Sequence, residues 1–383
     1  MTRGSDTVVI GAGIVGCAVA YELARAGARV TVLEYGKAGM QATNAAAGML
    51  APLTETHAPD AMFRAGLQAL REYPSLVARL EAEARFSVEY RQTGILNVAF
   101  DGEDAARLQR RFAWQREMGL DVEWLDGALC REVEPRLSER VIAGVLSPSE
   151  ACVSNQLLTL ALQRSAEARG ALVRERAPVE RFLRRSMRGG GRISGVIAAG
   201  ETFACDTIVL AAGARSGQIA ARLGGRVGAR LPVRPTRGQM IALGGMLAPI
   251  RHVVWGPDGY LVPRANGLIF AGATVEDVGF RRRTTKDGVR RLRAMSRALV
   301  PQLAAATVHF EWAGLRPGTP DGLPIIGPLP AHPEVIAATG HYRNGILLGP
   351  LTATWSARGI LENDWSAVPE EFSPARFASG REP

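Results

Sequence analysis

Residues 9–34 read VIGAGIVGCAVAYELARAGARVTVLE and contain an apolar run, a glycine turn, a helical stretch and a second apolar run. The helical stretch covers residues 14–26, and the second apolar run covers residues 29–33. Two apolar runs joined by a segment with helical spacing predict a β-α-β unit with buried strands. The turn has the GxGxxG pattern that opens a dinucleotide-binding helix: Gly11, Ala12, Gly13, Ile14, Val15 and Gly16.

Each glycine of this turn has a separate physical role. Gly11 allows the tight turn, Gly13 lets the backbone approach a pyrophosphate, and Gly16 permits close packing of helix on strand. The free N–H groups and the partial positive charge of the helix N-terminus favour bound phosphates. Glu34 ends the second run, 18 residues after Gly16, where a carboxylate can accept hydrogen bonds from ribose hydroxyls and would repel a 2′-phosphate. The pattern therefore predicts a dinucleotide other than NADP.

The rest of the chain mixes helical and strand-like stretches. Helical spacing predicts helices at 61–85 (with Pro74 as a break or kink), 105–118, 154–170, 286–300 and 345–361. Apolar or alternating runs predict strands at 94–100, 122–125, 172–183, 193–198, 207–211, 232–243, 252–271, 308–315 and 335–339. A hairpin turn is expected at Gly189 to Gly191, and a loosely ordered tail after Trp365.

These elements predict an α/β (α+β) chain of two interleaved domains. A Rossmann-like nucleotide-binding domain would comprise residues 1–85, 144–222 and 318–365. A substrate domain with an antiparallel sheet would comprise residues 86–143 and 223–317, and residues 366–383 would form the tail.

Composition excludes several classes of protein. The four cysteines are far apart and form no CxxC pair, so neither a disulfide framework nor a metal site is expected, and a cytoplasmic location fits. No stretch is long enough to predict a membrane span or a signal peptide. The formal net charge of +9 could attract nucleic acid, but the basic residues are scattered over predicted helix faces, so no nucleic-acid partner is expected.

The cofactor is predicted from the residues that come after Glu34. A simple NAD dehydrogenase would continue to alternate strands and helices, whereas this chain enters a Gly/Ala/Thr/Asn segment and then long strands. It also returns to a glycine turn and a helix near its C-terminus, which favours a flavoprotein. Further motifs agree: ATNAAAGMLAP at 42–52, PTRGQM at 235–240, DGYLVPR and GATVEDVGF between 258 and 280, and WAGLRPGTPDGLPIIGP with TGHYRNGILLGP after 312.

Through these motifs the chain resembles the glycine/D-amino acid oxidase family of flavoproteins, and within it the glycine oxidase branch of thiamine biosynthesis. The resemblance implies non-covalent FAD, because no cysteine follows Cys205 to attach a flavin near Gly314. It also implies a homo-oligomer, with a tetramer as the expected state. The implied cofactor-binding residues are Gly11, Gly13, Ile14, Val15, Gly16, Glu34, Tyr35, Ala42, Thr43, Ala47, Gly48, Met49, Val179, Gly213, His341, Tyr342, Arg343, Asn344, Gly345, Ile346 and Leu347.

The resemblance also implies residues that meet the substrate. Arg316 would clamp a carboxylate, since the planar guanidinium can bond both oxygens. Tyr260 would reach the same carboxylate, and Arg343 and Met49 would line the pocket. His341 is not assigned as a base, because hydride can leave a neutral amine without one. The expected reaction is oxidation of glycine, sarcosine, D-alanine or D-proline by O2, giving H2O2, ammonia and an oxo acid.

Two departures and three alternatives accompany this interpretation. Arg215 stands where relatives commonly have Trp, and Asp258 stands close to Tyr260. One alternative is a dehydrogenase of D-amino acids or hydroxy acids with a quinone acceptor. A flavin domain that acts on tRNA is the second, and a non-catalytic FAD-binding protein the third. Retention of Arg316 and Tyr260 disfavours the last.

Overall fold

The strands of the protein form two large sheets and one small pair. The structure, a computed structural model, describes residues 5–185, 191–224, 231–245 and 250–378. Most of the hairpin turn predicted at Gly189 to Gly191 lies outside these residues. Strands and helices are numbered along the chain.

The first sheet has eight strands, and its central part has the order β17-β18-β11-β1-β2-β8. Within this order, β8, β2, β1, β11 and β18 run parallel to one another, while β17 pairs with β18 in antiparallel orientation. Off this order, β10 pairs with β11 and β9 with β10, both in antiparallel orientation. The strands are β1 (Ser5–Ile10), β2 (Val30–Leu33), β8 (Leu172–Arg174), β9 (Val179–Arg185), β10 (Arg192–Ala198), β11 (Glu201–Leu210), β17 (Ile325–Leu329) and β18 (His332–Thr339). The parallel arrangement confirms the β-α-β unit predicted at the N-terminus.

The second sheet also has eight strands, in the order β16-β12-β15-β14-β13-β4-β6-β5, and is almost wholly antiparallel. Its strands are β4 (Ile95–Ala99), β5 (Glu123–Asp126), β6 (Ala143–Ser147), β12 (Arg234–Gly244), β13 (Val253–Gly256), β14 (Gly259–Pro263), β15 (Ile269–Gly272) and β16 (Thr307–Gly318). The short strands β3 (Met49–Leu50) and β7 (Ala151–Cys152) form the separate pair. The domain boundary predicted between residues 143 and 144 falls inside β6.

Helices cover the first sheet and support the second. α1 packs against α7 and α10 in the larger hydrophobic core, which also contains the apolar side of α4. The helices are α1 (Ile14–Arg25), α2 (Ala42–Ala45), α3 (Pro52–Glu55), α4 (Ala61–Ala84), α5 (Gly102–Glu117), α6 (Gly127–Val133), α7 (Asn155–Glu167), α8 (Ser216–Ala220), α9 (Lys286–Leu299) and α10 (Gly345–Glu362). No helix in the described ranges is both long and apolar enough to cross a bilayer.

Two expectations about strands are wrong, and of the break or kink expected at Pro74 the break does not occur. The run 172–183 forms two strands because the chain turns at Arg176, which has φ +55°, just before Pro178. The run 252–271 forms three strands separated by two turns, the second of which contains Gly267 at φ +81°. Pro74 does not break α4, because the buried side chains on either side of it hold the helix in the core.

The C-terminal tail is also better ordered than expected. Residues 370–377 form two short 3-10 helices, and the side chains of Phe372 and Phe377 are buried. Arg376 pairs with Asp321 at 2.7 Å between Nε and Oδ2. Burial of two aromatic rings offsets the cost of ordering this segment, so the prediction of a loose tail is wrong as far as residue 378.

Candidate active site

The larger of two adjoining cavities lies where parallel strands of the first sheet end. It has a volume of about 310 Å³ and is lined by residues at the carboxyl ends of β1, β2, β11 and β18. Ligands of open α/β sheets bind at this edge. The predicted cofactor residues that line it are Gly11, Gly13, Ile14, Val15, Glu34, Tyr35, Ala42, Thr43, Val179, Gly213, His341, Tyr342, Arg343, Gly345 and Ile346.

The glycine turn is tightly enclosed by its neighbours. Gly11 has φ +105°, and a Cβ there would lie 2.5 Å from the carbonyl oxygen of Ala211. A Cβ on Gly16 would lie 1.9 Å from the carbonyl oxygen of Gly11. Gly16 therefore does not line the cavity but lets α1 pack on β1. Gly13 has no side chain to cap α1, and Thr43 Oγ1 accepts from the amide of Ile14 at 3.0 Å, so the other amides of this N-terminus fit a pyrophosphate.

Glu34 is fixed at the end of β2 by backbone donors. Its two carboxylate oxygens accept hydrogen bonds from the amides of Ala12 and Gly36, both at 2.9 Å. The side chain is nearly fully buried and still borders the cavity. A carboxylate held here fits the ribose hydroxyls of a dinucleotide.

The segment before α10 also borders the larger cavity. Tyr342 adopts a left-handed backbone conformation at φ +48°, and α10 begins at Gly345 without a side-chain cap. Asn344 and Leu347, also predicted to contact the cofactor, line neither cavity. Burial lowers the pKa of His341 to about 4, and its Nε2 lies 2.9 Å from Thr352 Oγ1. The imidazole is therefore neutral at pH 7 and, with so low a pKa, a weak proton acceptor.

The smaller cavity has a volume of about 70 Å³ and adjoins the larger one, since both are lined by Ala42, Ala46, Leu315, Tyr342, Arg343 and Ile346. Ala47, Gly48 and Met49 line only the smaller cavity. The polar side chains around it include Arg316, Arg343, Tyr260 and Glu55. Arginines beside a small enclosed volume are suited to binding a carboxylate.

Arg316 is held over the second sheet by its strand register. It lies opposite Thr236 in the β12–β16 ladder, and one terminal guanidinium nitrogen donates to the carbonyl of Thr274 at 3.0 Å. A Cβ on Gly238 would lie 2.4 Å from both terminal nitrogens. The glycine therefore makes room for the guanidinium beside the cavity.

Tyr260 lies on β14 and is buried, with its ring 5.0 Å from that of Trp255. Burial raises the pKa of the Tyr260 hydroxyl, while Arg316 and Arg343 act in the opposite direction. The hydroxyl remains protonated at neutral pH and can donate a hydrogen bond into the cavity.

Glu55 is a site residue that the sequence interpretation missed. Its Oε2 lies 3.6 Å from Nε of Arg343, and the side chain is only 11% exposed. Burial raises the pKa of Glu55, and the charges of Arg343 and Arg316 oppose this shift. Its sequence signal is weak: one acidic residue shortly after the apolar 42–52 motif, with no second carboxylate beside it.

No cluster of three or more His, Cys, Asp or Glu side chains suited to a metal occurs in the part of the chain that the structure describes. All four cysteines lie in that part; they are buried, unpaired and absent from the lining of both cavities.

Comparisons with known proteins agree with this geometry. A family model described as FAD dependent oxidoreductase matches residues 6–358. The glycine oxidase of Geobacillus kaustophilus is 35% identical over 354 residues, which cover 92% of each chain. Its crystal structure superposes with a TM-score of 0.91 at 31% identity, covering 98% of this chain and 99% of that one. The bifunctional protein ThiO/ThiG of Synechocystis sp. is 34% identical over 389 residues, which cover all of this chain and 56% of that protein.

Proposed function

Because the chain belongs to the FAD dependent oxidoreductase family, we propose that it oxidises glycine, or another small amino acid, at the carbon that bears the nitrogen. The observation that carries the proposal is the smaller cavity, where Arg316, Arg343 and Tyr260 surround about 70 Å³ next to the dinucleotide cavity. The similarity to glycine oxidases supports the same substrate class. The small volume favours a substrate with little or no side chain.

The cofactor position is inferred from the fit of the larger cavity. We propose that the pyrophosphate lies at the N-terminus of α1, with the adenosine between Glu34 and Val179. The flavin would extend past residues 42–49 toward residues 340–347, where the N-terminus of α10 offers N–H donors. The cysteines lie outside both cavities, which supports non-covalent attachment.

The protein's part in the reaction is to bind and orient the substrate. Arg316 and Arg343 would hold the carboxylate, and the protonated Tyr260 would donate to it. Glu55 would balance part of their charge, so that one added carboxylate does not leave the site strongly cationic. FAD held in the larger cavity would supply the hydride acceptor, and O2 would take up the electron pair to give H2O2. The imino acid product then takes up water to form an oxo acid, such as glyoxylate, and ammonia.

Two broader assignments belong to the same proposal. The similarity to the bifunctional protein ThiO/ThiG supports a place in thiamine biosynthesis. We also propose that the protein forms homo-oligomers, with a tetramer as the state to test by light scattering after size exclusion.

The decisive test is peroxide release by the purified yellow protein in air, with glycine, sarcosine, D-alanine and D-proline in parallel. We expect peroxide with glycine or sarcosine, and a rate that falls as the substrate grows. Free FAD without protein is the control. Bleaching of the flavin under anaerobic conditions without peroxide in air would instead indicate a dehydrogenase. A flavin that no substrate bleaches would contradict the proposal and favour a larger substrate such as tRNA.

A further inference from the structure

One connecting segment of the second sheet contacts residues of the first sheet. Residues 276–285 lie in the connection between β15 and α9, and both ends of this segment are held by Gln239, which is fully buried. Gln239 donates to Glu276 Oε1 at 2.7 Å and accepts from the amide of Thr285, also at 2.7 Å. Arg237 additionally pairs with Glu276. The segment is thus fixed at its base and projects its middle part over the larger cavity.

The projecting part contacts the opposite side of the cavity mouth. Phe280 and Arg282 both line the larger cavity. One terminal nitrogen of Arg282 donates to Gln41 Oε1 at 2.5 Å and to the carbonyl of Met40 at 3.3 Å. The contact therefore joins the segment to residues that follow β2 of the first sheet.

Arg215, from a third part of the chain, contacts a side chain on each side of this junction. Its guanidinium carbon lies 5.1 Å from the centre of the Tyr35 ring and 5.0 Å from the centre of the Phe280 ring. Tyr35 follows β2, and Arg215 follows β11. We call these three side chains, Tyr35, Arg215 and Phe280, the clasp. All three line the larger cavity.

The clasp differs from an ordinary stretch of surface. Tyr35 is 42% exposed and Phe280 is 36% exposed, so neither ring is held in the core. Each makes a cation–π contact with the same guanidinium, and these contacts span the mouth from one sheet to the other. Among the described residues, neither Arg215 nor Arg282 forms an ion pair with a carboxylate within 4.0 Å. Their positive charge therefore remains available to an anionic ligand such as a pyrophosphate.

We propose that the clasp retains FAD in the larger cavity and slows its release. The proposal rests on the assignment of this cavity to FAD and does not depend on which amine is oxidised. For FAD to leave, residues 276–285 must separate from residues 35–41, and the contact of Arg215 with Phe280 must break. Arg215 is thus a residue that retains the cofactor, in a position where the sequence alone suggested no role.

The test measures FAD release from the holoprotein. Wild type, Arg215→Ala, Arg215→Lys and Phe280→Ala are diluted into buffer, and the fluorescence of freed FAD is followed over time. We expect Arg215→Ala to release FAD about two- to fivefold faster, the size of one exposed cation–π contact. Arg215→Lys keeps the charge but loses the flat stacking surface, so it should also release FAD faster than wild type.

A matched control and a double variant separate the clasp from a general effect of charge. Arg281→Ala removes an exposed arginine of the same segment that does not line the cavity, and it should release FAD at the wild-type rate. Either single variant already removes the contact between Arg215 and Phe280. The acceleration of FAD release in the double variant Arg215→Ala/Phe280→Ala should therefore be smaller than the product of the accelerations in the two single variants. Circular dichroism of each holoprotein checks the fold.

Two results would overturn the clasp: release from Arg215→Ala and Phe280→Ala at the wild-type rate, or equal acceleration in Arg281→Ala. A wild type that retains FAD but oxidises none of glycine, sarcosine, D-alanine and D-proline would contradict the proposed substrate class and leave the clasp standing. A wild type that binds no FAD would contradict both.

Discussion

Arg316 carries the strongest prediction about a single residue. It lines only the smaller cavity, and its guanidinium donates to the backbone carbonyl of Thr274. If Arg316 clamps the substrate carboxylate as proposed, Arg316→Ala removes a two-pronged hydrogen bond, so we expect KM for glycine to rise about ten- to hundredfold. The flavin should stay bound, because the side chain does not reach the larger cavity. Steady-state kinetics and the FAD absorbance of the purified variant measure the two effects.

Arg316→Lys is the matched control for this change. It keeps a positive charge but cannot offer the planar fork, so its KM should lie between those of wild type and Arg316→Ala. An unchanged KM in both variants would exclude Arg316 as the carboxylate clamp. Loss of FAD together with loss of folded structure would show that Arg316 is structural.

The spacing of the glycine motif could suggest Glu34, whereas Arg316 and Tyr260 were implied by the resemblance to a known family. Glu55 could not be found in that way. Its contact with Arg343 joins residues that are 288 positions apart (343 − 55 = 288), and only the tertiary fold brings them together. Gly238 is similar, because its importance depends on the side chain that the β12–β16 register places over it.

At the scale of elements, helix α3 is held by a buried network. Glu150 accepts hydrogen bonds from the amides of Leu53 and Thr54 at 2.7 and 2.9 Å, and from the Thr54 hydroxyl at 2.6 Å. Arg111 donates to the carbonyl of Thr54 at 2.6 Å. The network positions the end of α3, where Glu55 borders the smaller cavity.

This network should make stability depend on pH. Burial raises the pKa of Glu150 to about 7, against the hydrogen bonds and Arg111, which act to lower it. A carboxyl with a raised pKa in the folded state binds its proton more tightly there than in the unfolded chain. Its contribution to stability is therefore complete below about pH 4.5 and is lost as the pH rises through about 7. The full difference amounts to about 3 kcal/mol.

Glu150→Gln tests this dependence, since the amide cannot ionise. We expect the free energy of unfolding of wild type relative to Glu150→Gln to fall by about 3 kcal/mol between about pH 4.5 and about pH 8. Urea unfolding of both holoproteins across this range measures it. Glu139→Gln, at an exposed position, is the control and should show no such trend. A constant difference between wild type and Glu150→Gln at all pH values would contradict the prediction.

The elements that the sequence predicted best are those with strong local periodicity, such as α1, α5 and α9. The failures have a common physical cause. The runs 172–183 and 252–271 are apolar enough for one strand each, but backbone turns near Arg176 and Gly267 divide them. The ordering of the tail depends on apolar space elsewhere in the fold that receives Phe372 and Phe377. Hydrophobic periodicity records which residues are buried, but not where the chain must reverse.

At the scale of the whole molecule, the larger cavity joins the two sheets. Its lining includes the carboxyl ends of β1 and β2 from the first sheet. Leu315 and Pro317 of β16, together with Phe280 and Arg282, come from the second sheet and its connections. A ligand that fills this cavity contacts both parts of the fold, so its binding free energy should stabilise them together.

We therefore expect FAD to raise the unfolding temperature of the whole protein in one transition. At a free FAD concentration about 100-fold above Kd, ligand linkage adds about 2.7 kcal/mol, which corresponds to a few degrees for a chain of this size. Calorimetry of the protein at increasing FAD concentrations measures both the number of transitions and their midpoints.

ADP is the control, because it matches only the adenosine diphosphate half of FAD and does not reach residues 340–347. At the same multiple of its own Kd, ADP contributes the same linkage free energy as FAD. The two ligands are therefore distinguished by how many unfolding transitions each of them shifts to a higher temperature. Two transitions, of which FAD moves only the first, would show that the cofactor stabilises the nucleotide-binding sheet alone and that the two sheets unfold independently.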